Sequence, residues 1–104
     1  MSFTIAPAAQ LELIEAAVWY DDIRLGLGTE FLDAIQQVFA QVATEPRLYA
    51  TLKCWTASQR EVRRCCLRRF PYVIVYLIEG DSVTVVAVSH ARRRPLYWID
   101  RIPQ

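Results

Sequence analysis

Glycine, histidine and lysine are scarce in this chain, with three, one and one among 104 residues. Only Gly26, Gly28 and Gly80 are available for special backbone conformations, so there is no glycine-rich loop of the kind that cradles phosphates. The three cysteines, Cys54, Cys65 and Cys66, are odd in number and show neither a CxxC pair nor a Cys/His spacing suited to zinc. That excludes a disulfide framework and predicts free thiols. In a strand, Cys65 and Cys66 would point to opposite faces, which also argues against a bond between them. The acids recur at no spacing with His or Cys, so neither a metal nor a cofactor is expected, and a serine or cysteine nucleophile is poorly supported. No apolar run approaches the roughly 20 residues that span a bilayer. The opening, "MSFTIAPAAQ", lacks the basic and apolar regions of a signal peptide, so a cytoplasmic protein without a membrane partner is expected.

What is present is apolar residue and arginine. Hydrophobic side chains make up 54% of the chain, high for a single domain of this length, which is expected to occupy residues 1–104. Such a surplus either fills an aromatic-rich core or lies under a partner. Net charge is only +1, but it is segregated: through Glu45 there are seven acids and one base, and from Pro46 onward eleven bases and four acids. Eleven of the twelve bases are arginines, whose planar fork suits phosphate and carboxylate. The asymmetry points either to an anionic partner for the second part or to the two parts complementing each other inside the fold.

The pattern along the chain predicts "SFTIA" as a short first strand, stopped by Pro7, and a helix from about Ala8 to Ile23 with Leu11, Ile14 and Val18 as its core stripe. "LGLG" breaks it. A second helix, capped by Gly28 or Thr29, carries Phe31, Ile35, Val38, Phe39 and Val42 at three- and four-residue steps and ends at Glu45-Pro46. The two read as an antiparallel hairpin. "EVRRCCLRRF", "YVIVYLI" and "SVTVVAVSH" follow as antiparallel strands, the last two joined at Gly80-Asp81. In the first of these, Val62, Arg64, Cys66 and Arg68 would share one face and Arg63, Cys65, Leu67 and Arg69 the other, so an arginine must reach a site or the edge of the core. Pro95 starts a last short helix or extended arm. The expected product is an α+β domain: an N-terminal strand and a helical hairpin packed on a small curved antiparallel sheet, whose other face is partly open and arginine-lined.

That order, together with "WY" closing the first helix, "GTEF" opening the second, "EP" ending it and "VRRCCLRRFPYVIVYLIEGDSVTVVAVSHARRRPLYW", resembles the RelE/ParE superfamily of bacterial type II toxin-antitoxin toxins over nearly the whole chain. The resemblance implies a growth-inhibiting toxin silenced by a cognate antitoxin that wraps its apolar surface. RelE-like members are metal-independent endoribonucleases acting on ribosome-bound mRNA, whereas ParE-like members poison DNA gyrase.

Cleavage of RNA through its own 2′-OH needs a base, an acid and positive charge at the phosphorane. Arg64 with Arg92, Arg93 and Arg94 could supply the charge, and His90 is the side chain that titrates near neutrality. Tyr97 could add a hydrogen bond or stack on a base. In RelE-like enzymes the resemblance places catalytic weight on a lysine pair before the arginine strand, on sheet arginines and on a tyrosine near the carboxyl end. Here Arg64, His90, Arg92 and Tyr97 are the catalytic candidates on that reading. The lysine pair is reduced to Lys53, which tilts the reading towards a gyrase-binding toxin. Lys53, Arg63, Arg68, Arg93, Arg94 and Arg101 are candidates for binding the anion or target. A member that keeps the fold and antitoxin binding without toxicity is the third alternative.

Overall fold

The structure, a computed structural model, describes residues 2–52 and 60–102. In chain order these form β1 (Ser2–Ile5), α1 (Pro7–Ile23), α2 (Leu27–Thr44), β2 (Glu61–Cys66), β3 (Tyr72–Glu79), β4 (Ser82–His90) and a 3-10 turn at Ile99–Arg101. This is the α+β arrangement anticipated, with one addition. The sheet order is β1-β4-β3-β2: β2, β3 and β4 are antiparallel neighbours, but β1 joins β4 in parallel, so the sheet is mixed.

Pro7 occupies the first turn of α1, where its missing N–H costs nothing. The chain then reverses at Gly26, whose φ of 94° favours a residue without Cβ. Asp21 near the end of α1 stabilises that reversal, its Oδ1 accepting the amides of Gly26 at 3.1 Å and Gly28 at 2.7 Å. The cap of α2 therefore comes from the preceding helix rather than from Thr29 or Gly28. Of the apolar stripe foreseen for α2, Phe31, Ile35, Phe39 and Val42 are buried, and Val38 is partly so.

The stripe foreseen for α1 is not in the core. Leu11, Ile14 and Val18 are exposed, and the inward face is Ala9, Leu13, Ala16, Ala17 and Tyr20. The small alanines let α1 approach α2 and the sheet closely, and at the contact with α2 a Cβ on Gly28 would fall 2.3 Å from the carbonyl oxygen of Ala17. Tyr20 then fits an aromatic cluster, its ring 5.2 Å from Phe31 and 5.0 Å from Phe70.

The strand expected over "EVRRCCLRRF" stops at Cys66. Leu67 to Phe70 form a turn in which the Leu67 amide bonds the Tyr72 carbonyl at 2.9 Å and Phe70 drops into the aromatic cluster. Arg68 and Arg69 are therefore off the strand, and Arg68 does not share the face of Arg64. Cys65 is buried and Cys66 exposed, both as free thiols, while Cys54 lies outside the described residues.

Two apolar clusters sandwich the sheet. Ile74, Tyr76 and Ile78 of β3 and Val83, Val85 and Val88 of β4 face the helices. Val62, Val75, Leu77, Val86 and Ala87 face the other way, under Trp98 and Ile102 of the C-terminal arm. The register shift between Val75 and Tyr76 adds one residue to β4 at this point, the kind of irregularity that increases local twist. Among the described residues no helix is long and apolar enough to cross a membrane.

Candidate functional site

Four of the arginine-strand and tail candidates converge. Arg64 from β2, His90 at the end of β4, and Arg93 and Arg94 just beyond line a pocket of about 170 Å³ on the arm side of the sheet. Its apolar lining comes from Leu52, Val73, Val75, Leu96 and Trp98. The register explains the meeting: Arg64 is paired with Val75, and Val73 with Ser89, so the end of β2 and the end of β4 approach across β3. Among the described residues Arg64 and Arg94 make no ion pair with a carboxylate, so the pocket carries uncompensated positive charge above an apolar floor, while Arg92 does not line it. Leu96 on its wall has φ of 59°, a conformation a branched side chain adopts only when its surroundings hold it there.

His90 and Arg92 are tied to each other by the backbone. The Arg92 amide donates to His90 Nδ1 at 3.1 Å, and the imidazole sits edge-on to Tyr72 with ring centres 5.3 Å apart. Nδ1 is thereby an acceptor, leaving Nε2 to carry the proton of the neutral ring.

Tyr97 points elsewhere. Its hydroxyl donates to the carboxylate of Glu12 on α1, and its ring carries the Arg93 guanidinium 3.9 Å from its centre. Burial first, and the Glu12 carboxylate next, raise its pKa above the ordinary phenol value. Arg101 joins the same carboxylate, donating to Oε1 at 2.9 Å and Oε2 at 3.3 Å and to the Val86 carbonyl at 3.0 Å. Glu12 Oε1 also accepts the Val88 amide at 3.0 Å, and Arg93 lies 3.6 Å from Oε2. Since β1 covers β4 only over Ser82–Val85, Glu12 and Arg101 satisfy the backbone groups of β4 that β1 leaves open. Nothing in the local sequence around Glu12 marks it; its partners Tyr97 and Arg101 lie 85 and 89 residues away.

The remaining arginines are dispersed. Arg63 lies on the helix side, where its Nε bonds Glu61 at 2.8 Å and its Nη1 bonds the Tyr49 carbonyl at 2.6 Å. Arg47 holds the other oxygen of Glu61 at 2.9 Å; burial is the largest single influence on that carboxyl and raises its pKa, but the two arginines together outweigh it and the net shift is downward. Arg68 lines a separate cleft of about 670 Å³ between α2 and the end of β2, and Arg69 pairs there with Glu30. Lys53 lies outside the described residues. Among those described, no cluster of three or more His, Cys, Asp and Glu could hold a metal ion.

The described pocket can therefore bind a compact anion beside an apolar group. It offers guanidinium donors and the His90 imidazole, but no carboxylate and no free phenol.

Compared with known proteins, residues 3–95 match the family described as the ParE toxin of the type II toxin-antitoxin system, parDE. Curated proteins give no match. Among solved structures, the chain is similar to one described as the chromosomal ParDE TA system from P. aeruginosa, with a TM-score of 0.63 and 18% identity over 88% of this chain and 97% of that one. At that identity the likeness speaks to the fold.

Proposed function

The chain belongs to the ParE toxin family of type II toxin-antitoxin systems, and from that premise we propose that it is a growth-inhibiting toxin, neutralised by a cognate antitoxin, that binds DNA gyrase and does not cleave RNA. The observation that carries the choice is the fate of Tyr97. On a nuclease reading its hydroxyl would serve a reacting phosphate; here it is bound by Glu12. His90 Nδ1 is likewise occupied by the Arg92 amide. What stays open is Arg64 and Arg94 over Val73, Val75 and Trp98, a surface suited to an acidic side chain next to an apolar one on a protein target.

Purified protein is expected to inhibit gyrase supercoiling, and Arg64→Ala combined with Arg94→Ala to raise the concentration needed by about tenfold or more. Transcripts are expected to stay intact for minutes after induction in cells. Cleaved transcripts with normal supercoiling would replace this reading with a RelE-like ribonuclease, and unimpaired growth with neither effect would leave a non-toxic member of the family.

A further inference from the structure

Away from the arginine pocket lies the larger cleft of about 670 Å³, between α2 and the end of β2. Sites for small molecules have volumes of roughly 300–1,000 Å³. One wall is a face of α2, on which Glu30, Asp33, Ala34, Gln37, Val38 and Gln41 recur at three- and four-residue steps. The other wall is the end of β2 with the turn at residues 67–69, and Tyr49 stands beside it. Ala34, Val38 and Leu67 are partly buried and give the cleft an apolar floor.

Charge identifies the ligand. Glu30 is taken, paired with Arg24 at 3.1 Å and also with Arg69. Asp33 on one wall and Arg68 on the other are exposed and, among the described residues, make no ion pair. Burial raises the pKa of the Tyr49 phenol and Arg68 opposes that rise, so the guanidinium lies on the Tyr49 side of the cleft. The Tyr49 hydroxyl donates to Gln41 Oε1, which leaves the Gln41 amide nitrogen to donate elsewhere. The charged lining is two carboxylates and two guanidiniums, Glu30 and Asp33 against Arg68 and Arg69. A phosphate would meet the carboxylates and a polyamine the guanidiniums. Among the described residues no group of three His, Cys, Asp or Glu could hold a metal ion there. A ligand with one charge of each sign meets neither repulsion.

We propose that this cleft binds a small zwitterion of amino-acid chemistry, its ammonium on Asp33, its carboxylate on Arg68 and its apolar side chain over Ala34, Val38 and Leu67. The guanidinium fork of Arg68 suits a carboxylate. The amides of Gln37 and Gln41 suit the N–H and C=O of a peptide bond, so a dipeptide with free ends presents the same chemistry as a free amino acid. Both charged contacts are made in view of water, which sets the affinity on the order of 1 mM. Arg64 and Arg94 line the other pocket, and the inference does not require the gyrase reading.

The test titrates the full isotope-labelled chain with leucine, leucyl-leucine, N-acetyl-leucine and leucinamide, and reads the backbone amides by NMR. Leucine or its dipeptide is expected to shift the amides of residues 30–41 and 65–69, and the tighter of the two names the source of the zwitterion. Blocking either end should weaken binding by about threefold or more. Asp33→Asn should abolish the discrimination against N-acetyl-leucine, and Arg68→Gln that against leucinamide; both positions are exposed, and the unshifted amides of the sheet confirm the fold. Arg64→Ala with Arg94→Ala should leave binding unchanged. N-acetyl-leucine binding as tightly as leucine would make the cleft a plain anion site, and leucinamide doing so a plain cation site; either overturns the proposal. So would silent cleft amides with both zwitterions, binding indifferent to Asp33 and Arg68, or binding lost with Arg64 and Arg94. A failure to inhibit gyrase would alter none of these readouts.

Discussion

At the scale of the residue, the two glycines of the helical turn do different work, and substitution separates them. Gly26 uses its φ of 94°, but a Cβ there would meet nothing within 4 Å, so Gly26→Ala costs only the strain of the left-handed conformation, about 1 kcal/mol. Gly28 lies inside α2, where alanine would ordinarily gain about 1 kcal/mol of helix propensity. There, however, the added carbon would lie 2.3 Å from the Ala17 oxygen and 2.8 Å from Asp21 Cγ, so the helices must part and the Asp21 cap must shift. Overpacking of this kind outweighs the propensity gain, and Gly28→Ala is expected to destabilise by about 2–3 kcal/mol net, more than Gly26→Ala, in urea unfolding. The reverse order would show that the hairpin can open at no cost. The sequence marks both glycines as breakers of a helical pattern. Which of them is needed for space and which for φ is not legible, because the close approach depends on Ala17, eleven positions earlier than Gly28 in the chain.

At the scale of the element, the C-terminal arm is held by one carboxylate. Trp98 and Ile102 cover the second face of the sheet, and Glu12 fastens the arm through Tyr97 and Arg101 while accepting the Val88 amide. Removing it leaves a partly buried guanidinium, a phenol and a strand amide unsatisfied, so Glu12→Ala is expected to cost about 3 kcal/mol. It should also speed amide exchange over Tyr97–Ile102 relative to the rest of the sheet. Arg101→Ala added to it should cost less than the two changes separately, because they share one interaction. Additive losses would mean that the arm is held by Trp98 and Ile102 alone. The strands and helices of this fold were readable from apolar alternation and helical spacing, and the arm from Pro95. Three things were not. A helix apolar on both sides, such as α1, gives no local sign of which stripe turns inward; the outcome rests on how closely its alanines pack. The end of β2 at Cys66 is set by Phe70 joining Tyr20 and Phe31, a tertiary demand. The parallel seat of β1 beside β4 is a matter of topology that no strand's own residues encode. For the site, arginines near strand ends were visible as candidates, and Arg64, Arg93 and Arg94 do meet. That Tyr97 would turn to Glu12 was not visible, since that pairing spans most of the chain.

At the scale of the whole molecule, burial acts on the tyrosines together. Desolvation raises the pKa of Tyr20, Tyr49, Tyr72, Tyr76 and Tyr97, the five tyrosines of the chain, above the ordinary value near 10, and Tyr76 reaches about 12. Tyr76 is fully buried between sheet and helices and donates its hydroxyl proton to the Pro46 carbonyl at 2.6 Å, a bond that ionisation would destroy. The buried Cys65 thiol is pushed up in the same direction. Above pH 10 the unfolded chain releases phenolic protons that the folded chain retains, so the folded state binds more protons and stability falls as pH rises. The stabilisation is complete below pH 10 and is lost as pH climbs through about 12. For Tyr76 alone a shift of this size corresponds to about 3 kcal/mol, and the other four add to it. Urea midpoints are therefore expected to hold steady to about pH 9.5 and then drop steeply, and tyrosinate absorbance should rise together with unfolding instead of preceding it. Tyr76→Phe should lower stability at neutral pH by about 1–2 kcal/mol through the orphaned Pro46 carbonyl, yet flatten the alkaline slope. Tyrosines that ionise near pH 10 while near-ultraviolet dichroism stays native would mean that the phenols reach water in the folded state, and the sheet could not then be packed on both faces as described.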